Sequence, residues 1–378
     1  MSRTSFFLAS CTVIAAAVRP AYADLEENLK SIVLPPGFEI ELFAADVPNA
    51  RGLARGDKGT IFVGTRNKGD IYAVVDEDGD NKADKRYTIF EKGKLPDGTD
   101  ITMPTGVAFK DGSLYVAANS RILRWDNIEN SLDEPGPPAI VTNIYPDKGH
   151  HGWRYMAFGP DGKLYVPVGA WCNACDDPDP VFASITRINA DGSGREVIAK
   201  GVRNTLGFDW HPKTKELWFT ENGADGMGDD MPADELGRLE KEGQHFGFPF
   251  IHQGDTPDPV VGAGHVAGDY AKPAIKLGPH IAALGMKFYT GKMFPKEYRD
   301  QIFIAEHGSG ERSVKLGYRI TLVTLDGNEA KTYTTFAEGW LRDGKQWGRP
   351  VDLLLLPDGS MLVSDDFANA IYRISYKP

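Results

Sequence analysis

One phrase recurs six times along the 378 residues: an apolar strand, a turn usually built on Asp-Gly, a second apolar strand, and a polar or glycine-rich exit. The copies are GLARGDKGTIFVG (52–64), GVAFKDGSLYVAANSRILRW (106–125), YMAFGPDGKLYVPVG (155–169), LGFDWHPKTKELWFTEN (206–222), GMKFYTGKMFPKEYRDQIFIAEHG (285–308) and PVDLLLLPDGSMLVSDDFANAIYRIS (350–375). Asp-Gly between alternating strands is a strong short-range hairpin signal. The first four copies start roughly 50 residues apart, with longer gaps before the fifth and sixth, which leaves room for a four-stranded sheet and a loop per copy. Short strands like these expose edges unless the sheets close on one another. Six such units therefore predict an all-β chain, a six-bladed β-propeller; a two-sheet sandwich explains the turns but not the recurrence. Sustained helical periodicity is scarce, so a single domain is expected.

The first 23 residues read as a Sec-type leader: Arg3, an apolar stretch from Phe6 to Val18, and the small-x-small end Ala21-Tyr22-Ala23. That stretch is too short for a stable membrane anchor. The expected product is a single domain over 24–378, periplasmic or secreted. The chain has 42 Lys and Arg against 53 Asp and Glu, a net charge of −11, and losing Arg3 and Arg19 deepens it by two. This balance argues against nucleic acid or an anionic membrane as a partner. Of the three cysteines, Cys11 leaves with the leader. Cys172 and Cys175 then form a lone C-x-x-C, which in an oxidising compartment points to a disulfide. A c-type haem would need His where Asp176 stands.

The chemically loaded segments keep phase with the repeat. His150-His151-Gly152-Trp153-Arg154 precedes the third copy and Arg203-Asn204 the fourth; 221–236 follows the fourth, and His307 to Arg312 follow the fifth. Arg349 precedes the sixth copy and Arg66 follows the first. Convergence from several blades is what a site at the mouth of a propeller channel requires. Taken singly, each has a plainer reading as a turn or surface residue. The loop 221–236, however, crowds six carboxylates around glycines, and oxygen-rich loops of this kind hold Ca²⁺. A second acidic phrase, 76–84, lacks the terminal bidentate Glu of a calcium loop and reads better as a polar hairpin tip.

The segments GHHGWRYMAFGPDGKLYVPVGA, GVRNTLGFDWHP, TENGADGMGDDMPADELGRL, GQHFGFPF and WGRPVDLLLLPDGSMLVSDDFANAIYRISY together resemble the soluble quinoprotein sugar dehydrogenases, most closely the sorbosone-dehydrogenase-like branch. The resemblance runs from about Pro35 to Tyr376. It implies a six-bladed propeller carrying pyrroloquinoline quinone (PQQ) and Ca²⁺, acting on an aldose or related sugar aldehyde such as sorbosone. It implies His150 as general base, four residues ahead of Arg154, with Arg203 beside the reacting centre. PQQ carries three carboxylates, which arginines match. Arg66, Arg203, Asn204 and Arg349 are the expected contacts, joined by His307, Arg312 and Arg319. The metal would take backbone carbonyls of Gly223 and Ala224, with Asp229, Asp230, Asp234 and Glu235 in support. His151, Trp153 and Trp171 would line the substrate pocket.

Two departures stand out. Relatives often read H-G-S-W-N-R where this chain has His307-Gly308-Ser309-Gly310-Glu311-Arg312, and Arg319 takes the place of a common lysine. The chain carries no C-x-x-C-H, so electrons are expected to pass to a separate acceptor such as a soluble cytochrome. Two other functions fit a propeller: a calcium-dependent lactonase of the regucalcin type, and a non-catalytic binding scaffold.

Overall fold

The computed structural model describes residues 18–95 and 97–378. Six four-stranded antiparallel sheets stand in a ring, and each recurring phrase forms the two inner strands of one sheet. The innermost strands are Ala50–Arg55, Gly106–Lys110, Ala157–Phe158, Phe208–Trp210, Ala283–Phe288 and Pro350–Leu355, for blades 1 to 6. The expected six-bladed propeller is the fold.

Two local features make the ring close. Strands alternate their side chains between faces, so each blade offers apolar rows to both neighbours. Apolar clusters accordingly fill each gap between blades, for example Phe62, Val107 and Val116 between blades 1 and 2, and Phe208, Ile185 and Phe219 between blades 3 and 4. Near the axis the inner strands approach backbone to backbone, and glycine permits it. A Cβ on Gly52 would lie 2.3 Å from the Thr105 carbonyl, one on Gly106 2.5 Å from that of Arg154, and one on Gly207 2.1 Å from that of Leu284. The glycine that opens several copies of the phrase is thus a packing requirement of the ring.

Ring closure joins the chain's two ends. The outer strand of blade 6 is Phe38–Ala44, paired antiparallel with Ala370–Tyr376 from Phe38↔Tyr376 onward. A helix, Val18–Leu29, precedes it. The expected leader lies mostly outside the described residues, and this helix starts within it. No helix among the described residues is long and apolar enough to cross a membrane.

Blade 4 departs from the regular plan. Residues 240–274 intervene between its third and fourth strands, and Gln244–His245 pairs in parallel with Glu196–Lys200 as a fifth strand of blade 3. A parallel partner runs the same way as its neighbour, so the insertion emerges on the face where Lys200 leads into Arg203. That face also carries every loop joining the second and third strands of a blade and every loop between blades. The loop 76–84 belongs to the opposite face. Backbone N–H groups of Gly79 and Asn81 donate to Asp76, that of Asp80 to Asp78 and that of Glu77 to Asp84, as in a polar hairpin tip.

Candidate active site

At the mouth of the channel, one carboxylate is surrounded by cations. Asp366, on the loop after the second strand of blade 6, is buried and accepts from Arg51, from His307 Nε2 at 3.0 Å and from Arg349 at 3.0 Å. Burial alone would raise its pKa. The imidazole of His307 and the Arg51 and Arg349 guanidiniums outweigh burial and hold the carboxyl well below the usual range. Arg66 lies in the same field: burial, then Arg51, lowers its pKa to about 10. Its guanidinium stacks 3.4 Å over the Trp153 ring. Among the described residues, Arg66 Nε, Arg51 Nε and Trp153 Nε1 are buried without a hydrogen-bond partner. Three guanidiniums against one carboxylate make this a positive basin within an acidic protein. Orphaned buried donors are costly unless something completes them.

Beside the basin stands a wall from blade 3. His150 is exposed at the mouth, and its pKa is lowered by partial burial and then by the Arg203 charge. His151 sits behind it, the two rings 4.0 Å apart. His151 Nδ1 lies 2.8 Å from the Ala170 carbonyl, a partner that only accepts, so the proton sits on Nδ1. Burial, Arg203 and His150 drive the His151 pKa down to about 3, and the ring is neutral. Arg154 is a structural residue. Its guanidinium is buried and donates to the carbonyls of Asn119 (2.7 Å), Pro146 (3.0 Å) and Pro167 (3.4 Å).

Arg203 has a different occupation from the one its motif suggests. Its guanidinium is met entirely by protein acceptors: the Asn173 carbonyl (2.8 Å) and side chain (2.8 Å), the carbonyls of Gly223 (2.7 Å) and Asn222 (3.3 Å), and Asp225 (3.1 Å). It clamps the blade 3 wall to the blade 4 loop and supplies positive charge next to His150. Asn204 joins the same seam, 3.3 Å from the Asn222 side chain. The Cys172–Cys175 disulfide is formed in this wall.

The other expected residues scatter by role. Gly223 spends its carbonyl on Arg203, whereas no hydrogen bond reaches the Ala224 carbonyl among the described residues. Asp234 is buried and receives the backbone N–H groups of Gly223 and Ala283, each at 3.0 Å, which makes it a bracket for the loop. Asp229 accepts from Ser313, and Arg312 reaches the Asp229 carbonyl, so these residues tie the blade 4 and blade 5 loops together. The Asp230 side chain is 91% exposed. Glu235 is buried and faces Glu221 across the strand pair, its side chain without a hydrogen bond among the described residues; burial pushes both carboxyls up, aided by Asp234 at Glu221 and by Glu221 and Asp234 at Glu235. Arg319 pairs with Glu306 at 2.7 Å, away from the basin. Trp171 is 42% exposed at the crest of the blade 3 wall. Sequence reasoning missed Arg51 and Asp366. The first lies one residue ahead of the opening phrase, and the second hides in the run Ser364-Asp365-Asp366.

Comparison with known proteins agrees with this architecture. Residues 139–311 match the family described as glucose/sorbosone dehydrogenase. A protein of Borreliella burgdorferi described only as uncharacterized is 34% identical over 391 aligned positions, spanning 99% of this chain and 96% of that one. Among solved structures, the calcium structure of a family AA12 carbohydrate-active enzyme from Trichoderma reesei superposes with a TM-score of 0.77 at 17% identity, covering 92% of this chain and 97% of that one. The holo PQQ domain of pyranose dehydrogenase from Coprinopsis cinerea gives 0.76 at 17% identity, covering 91% and 97%. At such identities the solved structures establish the fold, while the family match over 139–311 places the sequence: the chain belongs to the glucose/sorbosone dehydrogenase family.

Proposed function

We propose that the protein is an exported PQQ- and Ca²⁺-dependent dehydrogenase that oxidises an aldose or related sugar aldehyde and passes the electrons to a separate acceptor. The observation that carries this reading is the positive basin, with the buried, unpartnered Nε of Arg66 beside Arg51 and Arg349. Donors of this kind suit a flat polycarboxylate, because guanidiniums bind carboxylates bidentately and stack on planar rings. Arg66 and Trp153 already stack on each other and present such a surface. For the cation, the open Ala224 carbonyl is an oxygen donor of the sort calcium takes. When bound, the quinone supplies a two-electron hydride acceptor and the metal a Lewis acid that polarises it.

The chain's own part is proton handling and positioning. His150, neutral because its pKa is lowered, accepts the proton of the sugar hydroxyl or aldehyde hydrate. His151 backs the His150 ring and is held by its Nδ1–H bond to Ala170. Arg203 fixes the spacing between the His150 wall and the Gly223–Ala224 loop. A lactonase would instead ask for carboxylates converging on a metal at the axis. Here Asp366 is already neutralised by Arg51 and Arg349, and Asp225 is bound to Arg203.

The test is a PQQ titration followed by absorbance with calcium present, comparing the wild type with Arg66→Ala. Loss of a charge-assisted contact predicts a Kd raised by roughly tenfold or more. An unchanged Kd would remove Arg66 and the basin from the account.

A further inference from the structure

His150 stands against two charges, and one neutral side chain binds both of them. The charged groups that face it are Arg203, at the entry to blade 4, and Asp225, in the loop after the second strand of that blade; His151 behind it is neutral. Both charges sit in loops, outside any strand. Each is bound by Asn173, from the blade 3 wall 169–183.

Asn173 turns its polar groups toward these two residues. Its backbone carbonyl accepts from Arg203 Nε, and its Oδ1 accepts from Arg203 Nη2 and from the Asp225 backbone N–H, each at 2.8 Å. Its Nδ2 donates to the Asp225 carbonyl at 2.8 Å. The Asp225 carboxylate then closes the triangle on Arg203 at 3.1 Å. Asn173 thus supplies two of the five acceptors around a guanidinium whose side chain is only 3% exposed. The pattern is specific to an amide. An aspartate at this position would accept the same two bonds, could not donate to Asp225, and would set a negative charge against Arg203.

The wall needs support to hold Asn173 in this way. Residues 169–183 form neither helix nor strand, and Asn173 itself is exposed, where hydrogen bonds compete with water. The Cys172–Cys175 disulfide encloses Asn173 in a small ring. Closing so short a loop removes backbone freedom at the residues inside it. The carbonyl and the side chain of Asn173 are thereby kept on Arg203 together.

We infer that Asn173 is a positioning residue for the His150 base, with the disulfide ring as its mount: it fixes Arg203 and Asp225 before the imidazole and joins the blade 3 wall to the blade 4 loop. The inference rests on the dehydrogenase reading, in which His150 takes the substrate proton, and adds a residue that acts on that step through its neighbours. With the wall loosened, His150 meets more water and Arg203 no longer stands beside it. Both changes move its titration up toward the ordinary imidazole value. In Asn173→Asp the added carboxylate acts in the same direction.

Two measurements on the full chain test this with Asn173→Ala, Asn173→Asp and the double variant Cys172→Ser/Cys175→Ser. The first follows the His150 titration through histidine Cε1–Hε1 NMR signals in the chain without cofactor, the His150 signal being assigned by its absence in His150→Ala. The second is the pH profile of kcat and KM for glucose in the chain reconstituted with PQQ and Ca²⁺. We expect His150 to titrate about half a pH unit or more higher in both Asn173 variants, with the acid limb of kcat/KM moving alongside. kcat should fall by about tenfold or more while KM changes by less than about twofold, because misplacing a reacting group costs rate rather than binding. The cysteine variant keeps the amide, so it should shift both readouts the same way by less. An unmoved His150 titration and acid limb in both Asn173 variants, whatever happens to Tm, would overturn the inference and leave the dehydrogenase intact. A shifted titration in a chain whose loaded wild type oxidises neither aldoses nor sorbosone would overturn the dehydrogenase reading, and any part for Asn173 in a reaction with it.

Discussion

His150 is well suited to accept a proton because of what surrounds it. Partial burial and the nearby Arg203 charge lower its pKa below the ordinary imidazole value near 6.5. The base must be neutral to act, so kcat/KM should fall at low pH as His150 protonates, with an acid limb displaced below that of an ordinary imidazole. His150→Ala should lower kcat by roughly 10²–10⁴-fold and abolish that acid limb. A pH profile that keeps its acid limb in the variant would assign the limb, and the base, to another group. The expectation for His150 came from the family resemblance, in which it stands four residues ahead of Arg154; the structure gives Arg154 to three backbone carbonyls and leaves the His150 imidazole exposed at the mouth. Arg51 and Asp366 were not readable. They are 315 positions apart, and only ring closure gives each its partner.

At the scale of strands and loops, the recurring phrase carried the fold because one pattern encodes hairpin, alternation and inner-strand glycine together. The glycine has the sharpest test. Gly106→Ala places a Cβ 2.5 Å from the Arg154 carbonyl and 3.1 Å from Met156 N, both backbone atoms that cannot swing away. Forced overpacking of this kind costs about 1–3 kcal/mol. Thermal unfolding should show a lower Tm for Gly106→Ala than for a control such as Gly136→Ala, whose added Cβ meets nothing but whose φ of 65° carries its own smaller strain. Equal Tm values would mean that the inner strands have slack. The insertion 240–274 was legible only as a motif, GQHFGFPF. Its two-residue strand is too short for a periodic signal, and its pairing is parallel with a distant strand. The same limit explains Phe38–Ala44. A strand that pairs with residues more than 300 positions away announces its strandedness but not its place.

For the whole molecule, charge and topology give the same indication. An acidic protein of net charge −11 gathers Arg51, Arg66 and Arg349 where loops of blades 1 and 6 meet the His150 wall. Such a concentration of buried positive charge is expensive without an anionic ligand, and Asp366 offsets only part of it. Carboxylates in the blade 4 loop, by contrast, are mostly spent on the fold: Asp234 on backbone N–H groups and Asp229 on Ser313. Under the proposed function the organic cofactor would lie at the axis and calcium at the blade 4 loop. The measurement that tests this most directly is reconstitution of chelator-treated protein, adding PQQ and Ca²⁺ separately and together and following dye reduction with aldoses, sorbosone and reducing disaccharides. The account predicts activity only when both are present, and its loss in His150→Ala. If PQQ fails to bind with calcium present, or if activity appears without it, the central claim is contradicted.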